Sequence, residues 1–213
     1  MHRHAASAVA ILLASVLVAG CSDGEAGDPT PADTTNATTD SGSSSSSSNG
    51  ETDLPSDGAP AVTDPLDTTA FEQDPCQMLT DSQIEQAGLI PPGEPGEGAT
   101  AASCAWRNRT TNSSARVQFE VATHRGLSAA YQANDNSEYD LWEELPGIAG
   151  YPAVIADIRD NRAKGDCAII VGTSDEVTFD LAVTLSADKV GQVNPCDAAQ
   201  QVAELALETM QNG

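Results

Sequence analysis

The residues of this chain best suited to covalent chemistry are its five cysteines, at positions 21, 76, 104, 167 and 196. A thiol can carry lipid, pair as a disulfide, bind zinc or act as a nucleophile. An odd number of cysteines in an exported protein leaves one of them to explain. The segments around each cysteine distinguish these chemistries.

Cys21 follows a segment typical of an export signal. Arg3 lies between two histidines, and the apolar run that follows, residues 5–19, is 15 residues long. A helix needs about 20 residues to span a bilayer, so the run is too short to be a membrane helix. Val18-Ala19-Gly20-Cys21 matches the bacterial lipobox, in which a diacylglyceryl group joins the thiol before the signal is cleaved. We predict a lipoprotein signal peptide over residues 1–20 and a lipid anchor at Cys21. The alternative is an ordinary signal peptide with a chance cysteine.

Residues 21–70 lack the composition of a folded segment. After Cys21 they contain the run SGSSSSSSNG, ten acidic residues and no Lys or Arg. Such a segment buries too little apolar surface to offset the entropy of ordering, which predicts disorder. We interpret it as an acidic Ser/Thr/Gly/Pro spacer that lifts a domain off the membrane. A specific binding tail is the alternative.

Residues 71–213 have the length of a single domain. With Cys21 assigned to lipid, the other four cysteines form an even set in an oxidising compartment. They allow three pairings. We predict Cys76–Cys104 and Cys167–Cys196, which join neighbours in sequence and close loops of just under 30 residues. Zinc is the alternative, but the domain has no C-x-x-C motif and only one histidine, His124, so no metal site is predicted.

Each predicted bridge begins where a helix begins. Asp74-Pro75 and Asn194-Pro195 place a capping side chain before a proline at the first helical position, and a cysteine follows each proline. Thr80 and Gln83 form a capping box for a second short helix, which Gly88 ends. The C-terminal helix is predicted to run to about residue 210, with Ala198, Val202, Leu205 and Ala206 on its apolar stripe and Glu204 and Glu208 on the other side.

Strand patterns fill the region between these helices. Apolar and polar residues alternate over 117–121 and 177–185, as in strands with one wet face. The runs CAW, AVIADI and CAIIVG indicate further strands, with a helix over residues 127–134 and a hairpin turn at 173–176. This order predicts an α+β fold, a mainly antiparallel sheet with helices packed on one face, stapled by two disulfides.

Five segments occur in the order DPCQMLTDSQI, CAW, LPGIAGYPAV, CAIIVGTSD and PCDAAQQVAELAL over about residues 74–210. In this order they resemble the actinobacterial lipoproteins of domain of unknown function family 3558. The preceding lipobox and Ser/Thr-rich spacer are also similar to that family. The resemblance implies an exported location, four paired cysteines and a shared architecture. It implies no catalytic residue, because the family is uncharacterised.

The sequence contains no recognised catalytic constellation. It has no G-x-S-x-G motif, and a Ser–His–acid triad could use only His124. The adjacent pairs Glu143-Glu144 and Asp175-Glu176 suit the solvated surface of an acidic domain. Residues 71–213 hold 22 acidic and 8 basic side chains, a net charge of −14 that repels nucleic-acid phosphates. We predict no enzyme activity, no cofactor besides the lipid at Cys21, and no nucleic-acid partner.

The residues left for binding are aromatic and apolar. Residues 144–154, ELPGIAGYPAV, contain Ile148 and Tyr151 among glycines and prolines, and such a loop either packs onto the core or offers a binding edge. Trp142 is either a core anchor or a contact residue for a partner. The possible binding residues are therefore Trp142, Tyr151 and Ile148.

These features predict a non-enzymatic binding or interaction domain, lipid-anchored at the outer face of the cytoplasmic membrane. Its partner would be an envelope protein or a wall ligand. One alternative is a carrier for an apolar or cell-wall-derived molecule, which a deep apolar cavity would favour. Another is a wall-active hydrolase, which a polar cleft with two inward carboxylates would favour.

Overall fold

A computed structural model describes residues 53–97 and 101–213 of the chain. The predicted signal peptide, the predicted lipidation site Cys21 and the first part of the predicted spacer lie outside the described residues. Within the described part of the chain, no helix is both long enough and apolar enough to cross a membrane.

Seven strands and four helices make up the described domain. The strands are β1 (Glu94–Glu97), β2 (Ala102–Asn108), β3 (Ser113–Glu120), β4 (Leu141–Glu144), β5 (Ala153–Asp157), β6 (Asp166–Gly172) and β7 (Thr178–Thr184). The helices are α1 (Thr69–Gln73), α2 (Asp81–Gln86), α3 (Leu127–Asp135) and α4 (Pro195–Asn212), with 3-10 turns at Pro75–Met78 and Arg162–Lys164. The strands form one antiparallel sheet in the order β1-β2-β3-β7-β6-β5-β4. The predicted α+β class and antiparallel sheet are confirmed.

One side of the sheet, which we call the α4 face, carries the main core. Alternate residues of the central strands point to this side, and Ile169, Phe179 and Leu181 are each at most 1% exposed. Burying a side chain of this size is worth about 1.5–3 kcal/mol. The part of α4 that packs onto these strands is a buried stripe of Ala199, Val202, Ala203, Ala206, Leu207 and Met210. The predicted stripe was right for Val202 and Ala206, whereas Ala198 and Leu205 are only half-buried.

The opposite side, the α3 face, holds a smaller apolar cluster. Val154 and Ala156 of β5 alternate with residues that face α4, and they pack with Leu127 of α3 and with Ala59. The prediction that the helices pack on one face of the sheet holds for α2 and α4 but not for α3. The reason is the run AVIA in β5, which is apolar on both sides and therefore needs cover on both sides.

Residues 53–68, which we call the strap, cross from the α3 face to the α4 face. Ser56 N–H donates to Ser128 Oγ at 2.8 Å, and Val62 N–H donates to Asp175 Oδ1 at 2.8 Å. Further along, Leu66 packs against the core of the α4 face. The folded domain therefore begins before residue 71, and the structure differs from the predicted boundary over residues 53–70. The few apolar residues of this segment produce no periodic pattern, yet Ala59, Val62 and Leu66 pack onto the domain.

Both disulfides have the predicted partners. The sulfur atoms of Cys76 and Cys104 are 1.98 Å apart, and those of Cys167 and Cys196 are 2.11 Å apart. Each bridge ties the start of a helical segment to a strand, β2 in the first case and β6 in the second. Asp74 and Asn194 cap these two starts, and each accepts a hydrogen bond from the backbone N–H of the cysteine two residues later.

The sequence patterns missed the two edge strands, β1 and β4. β1 contains Pro95, and proline is tolerated in a strand only at an edge or a bulge. β4 reads LWEE, too short for an alternating pattern to stand out. Both pair with the strand that follows them in the sequence, β1 with β2 and β4 with β5, and so satisfy backbone groups that would otherwise lack partners.

Candidate functional site

Two of the three predicted binding residues are buried. Ile148 and Tyr151 are each 5% exposed and belong to the core of the α4 face. Their backbones form a tight turn, in which Ile148 N–H donates to Tyr151 O at 2.8 Å and Tyr151 N–H donates to Ile148 O at 2.9 Å. The loop over residues 144–154 therefore follows the core-packing alternative, and these two side chains are not presented to a ligand.

The third predicted binding residue, Trp142, lies elsewhere, on the α3 face. Its ring stacks on Tyr139, with ring centroids 5.8 Å apart, and meets the edge of Tyr131 at 5.0 Å. All three rings are half-buried. The structure therefore separates Trp142 from Ile148 and Tyr151, and the three do not form one site.

A cleft of about 900 Å³ lies on the α4 face beside α4. One wall is α4 itself. The other walls are the C-terminal end of α2, the β2–β3 hairpin, and the end of β7 with the loop that follows it. The two disulfides support these walls, because Cys196 holds the start of α4 to β6 and Cys76 holds the segment before α2 to β2.

The inner surface of the cleft combines apolar side chains with the hydroxyl groups of Thr111, Ser113, Ser114, Thr184 and Ser186. The sheet supplies Val183 at the end of β7, and Leu185 follows it; both are at most 9% exposed. The helix supplies Val202 and the half-buried Leu205. The remaining apolar lining consists of Ala87, Leu89, Ala115, Ala149, Val193 and Ala198.

Charged side chains border the cleft. Glu204 and Glu208 come from α4, and Asp188 and Lys189 come from the loop after β7. All four are exposed to solvent. Among the residues that the structure describes, none of these four forms an ion pair. Their charges are therefore available to a molecule in the cleft.

The ionisable side chains of the cleft are three carboxylates and one lysine. Its lining contains no histidine and no cysteine, and its three carboxylates are exposed at the border. Elsewhere in the described ranges, 53–97 and 101–213, no group of three or more His, Cys, Asp or Glu residues is arranged to hold a metal ion. The buried indole N–H of Trp106 finds no hydrogen-bond partner within the same ranges, but Trp106 does not line the cleft.

The sequence pattern grouped several residues of α4 that line the cleft, although it did not predict the cleft itself. The helical period grouped Ala198, Val202 and Leu205 as one stripe, and these three residues line the cleft on the α4 side. Glu204 and Glu208, which the same period placed on the other side, also line it. The spacing of apolar residues describes only the helix itself, so it does not reveal that the sheet leaves a cleft next to this stripe.

The α3 face carries the one carboxyl with a strongly raised pKa in the described chain. Desolvation by neighbouring protein atoms raises the pKa of Asp180 to about 6, although part of its side chain is exposed. The charge of Glu120 raises this pKa further, and Arg116 opposes the shift. Burial also raises the pKa of Tyr139, and the negative charge of Asp180 adds to that effect.

Comparison with known families gives one match. A family model described as "Protein of unknown function (DUF3558)" matches residues 16–209. No curated protein and no solved structure shows significant similarity to the chain.

Proposed function

Since the chain belongs to the family of proteins of unknown function DUF3558, we propose its function from the site: it is a lipid-anchored, extracytoplasmic protein that binds a small amphipathic ligand in the cleft beside α4. The cleft is the observation that carries this proposal. Its volume of about 900 Å³ falls within the range of known ligand pockets, about 300–1,000 Å³. Apolar side chains beside polar groups that can orient a ligand are also found in such pockets.

The extracytoplasmic location rests on two features of the chain. The lipobox ending at Cys21 provides a lipid attachment site, and two or three acyl chains anchor a protein stably where one does not. The two disulfides fit an oxidising compartment, since thiols inside cells are kept reduced. The membrane is thus contacted through the lipid, and the cleft binds an envelope molecule.

Ligand binding is favoured over hydrolysis by the position of the carboxylates. A carboxylate pair that cleaves a glycosidic bond faces the substrate from both sides, and its general acid is kept protonated by its surroundings. Glu204 and Glu208 lie on the same helix at the solvent-exposed border. They suit charge recognition better than proton transfer.

Binding of the neutral apolar dye N-phenyl-1-naphthylamine tests the cleft. The full chain carrying Cys21→Ser should bind the dye, because contact between its rings and the apolar residues of the lining removes apolar surface from water. Gln201→Trp places an indole ring into the cleft and should weaken dye binding at least about tenfold, equivalent to about 1.4 kcal/mol.

The matched control is Gln73→Trp, which makes the same change at the end of α1, at an exposed position outside the cleft. It should leave the affinity for the dye unchanged. Thermal unfolding of both variants checks that α4 remains packed. A wild-type chain that does not bind the dye, or equal losses in the two variants, would contradict the proposal.

A second candidate function, protein interaction through the α3 face, is favoured by the half-buried rings of Tyr131, Tyr139 and Trp142. Aromatic residues that keep part of their surface exposed are frequent contact residues in protein interfaces. Crosslinking on intact cells should then recover a partner with the wild-type protein and lose it with Trp142→Ala. Recovery of the same partner with both proteins would remove this candidate.

The anchor has its own test. Cys21→Ala removes the only sulfur of the lipobox, so the protein should remain as an unprocessed precursor or be released from membranes. Fractionation of cells and the mass of the protein distinguish these outcomes. A mature Cys21→Ala protein that still fractionates with membranes would contradict lipid attachment.

A further inference from the structure

We infer that the ligand of the cleft is a cationic amphiphile, with an apolar body against the sheet and a positively charged group between α4 and the loop after β7. This inference rests on the proposed function and adds the charge of the ligand to it. The lining and the border of the cleft provide the two halves of the argument.

The apolar residues that line the cleft favour a ligand with an apolar body. The apolar residues of the lining that keep surface exposed include Ala198 and Leu205 of α4 and Val193 of the loop after β7. A hydrocarbon chain or ring that covers such a surface removes apolar area from water, which lowers the free energy of the complex. A fully polar ligand would leave these side chains without a matching partner.

The charged residues at the border of the cleft favour a positively charged group on the ligand. Glu204, Glu208 and Asp188 contribute three negative charges, and Lys189 contributes one positive charge. In the described chain none of the three carboxylates is neutralised by an ion pair. The surrounding residues 71–213 carry a further excess of negative charge, so an anionic head group meets repulsion both near and far.

The position of Glu204 and Glu208 is unfavourable for the helix itself. Like charges at i and i+4 destabilise an α-helix by a few tenths of a kcal/mol. α4 has no basic residue in its last turn, so nothing at that end compensates for Glu208. A bound cation would relieve the repulsion between the two carboxylates.

A competition experiment tests the charge preference. The dye N-phenyl-1-naphthylamine is bound to the full chain carrying Cys21→Ser and displaced by decyltrimethylammonium or by decanoate, which share a ten-carbon chain and differ in charge. The cation should displace the dye at a concentration about three- to tenfold lower, since exposed ion pairs are modest in strength. High salt should reduce this preference because it screens exposed charges.

Two double variants distinguish the effect of the border carboxylates from the effect of the domain's overall negative charge. Glu204→Gln with Glu208→Gln should reduce the preference for the cation to nearly none. Glu138→Gln with Glu176→Gln removes the same charge from exposed positions outside the cleft and should retain the preference. Equal reductions in both double variants would assign the preference to overall charge and overturn the inference.

A stability measurement gives an independent readout. Without ligand, the Glu204→Gln, Glu208→Gln variant should melt about 1–2 °C above the wild type, because a repulsion within α4 is gone. A lower melting temperature would show that the two glutamates stabilise the fold, contrary to the inference. Dye binding with no charge preference would overturn only the cationic ligand, whereas absence of dye binding would overturn the proposed function and this inference together.

Discussion

On the α4 face the strands pack against an 18-residue helix that a disulfide ties to β6, whereas on the α3 face they pack against a nine-residue helix and the strap. The α4 face has a large, continuous apolar core. The α3 face has a cluster of four buried residues, reinforced by hydrogen bonds such as that from Ser56 N–H to Ser128 of α3. Regions with few buried apolar contacts open at lower free energy than the core. The α4 face therefore determines global stability, and the strap should be the first part to open.

The largest effects should come from the disulfides, both of which lie on the α4 face. Removing Cys167–Cys196 by a double Cys→Ala change should lower the free energy of unfolding by about 3–4 kcal/mol, as expected for a loop of this length. The sequence separations of the two bridges are 29 and 28 residues, so removing Cys76–Cys104 should cost nearly the same. Urea unfolding measures both. A difference above about 2 kcal/mol would mean that native-state packing, not loop closure, dominates.

Truncating one leucine on each face compares the two cores directly. Leu207→Ala, at 0% exposure on α4, should cost about 3 kcal/mol. Leu127→Ala, at 3% exposure on α3, should cost about 2 kcal/mol because the smaller cluster can close around the gap. Equilibrium unfolding in urea gives both values. If Leu127→Ala proved the more costly, the α3 face would not be the weaker of the two.

Removing one hydrogen bond should release the strap without unfolding the sheet. Asp175→Ala leaves Val62 N–H without its acceptor and should cost about 1 kcal/mol. Hydrogen exchange at Val62 should accelerate, while exchange in β6 and β7 stays slow. Asp175→Asn keeps an oxygen acceptor and serves as the control. Faster exchange throughout the sheet would contradict local opening.

The smallest effect concerns Asp180 on the α3 face and depends on pH. The side chain is partly exposed, so solvent screens its interactions and reduces their effect on stability. Its pKa in the folded state, about 6, lies above its ordinary value of 3.8, so the folded protein holds this proton more tightly than the unfolded chain does. The contribution of Asp180 to stability is therefore favourable at low pH and is lost as the pH rises from about 4 to 6. Asp180→Asn cannot ionise, so its stability relative to the wild type should rise over that range. Unfolding measured at several pH values checks this, and a constant difference would contradict the raised pKa.

Local signals in the sequence predicted the elements that depend on a few adjacent residues. Thr80 and Gln83 form the predicted capping box, with reciprocal hydrogen bonds between each side chain and the other residue's backbone. Asp74 and Asn194 start helical segments with the same capping hydrogen bond, yet one segment has four residues and the other eighteen. The first stops because Thr80 begins a new helix. The second continues because an apolar stripe repeats along α4 and packs onto the sheet.

Features that depend on distant parts of the chain were not predictable in this way. The strap has the composition of a spacer, and its contacts with the domain, which include hydrogen bonds to Ser128, Thr173 and Asp175, order it. The cleft lies between α4, the end of α2 and the β2–β3 hairpin, so its existence depends on three segments that meet only after folding. The buried turn at Ile148 and Tyr151 left two outcomes open in the sequence, and packing decided between them.

The strap also determines how the domain responds to a pulling force. Tension applied to the chain at residue 53 reaches the hydrogen bond of Ser56 first, then that of Val62 and then that of Leu66. Bonds that are loaded one after another break at low force, because each carries the whole load alone. Release of residues 53–68 would give roughly 50 Å of slack, at about 3.3–3.6 Å per residue, before the load reaches the disulfide-bonded part of the domain. The strap can therefore extend under tension while the cleft beside α4 keeps its shape.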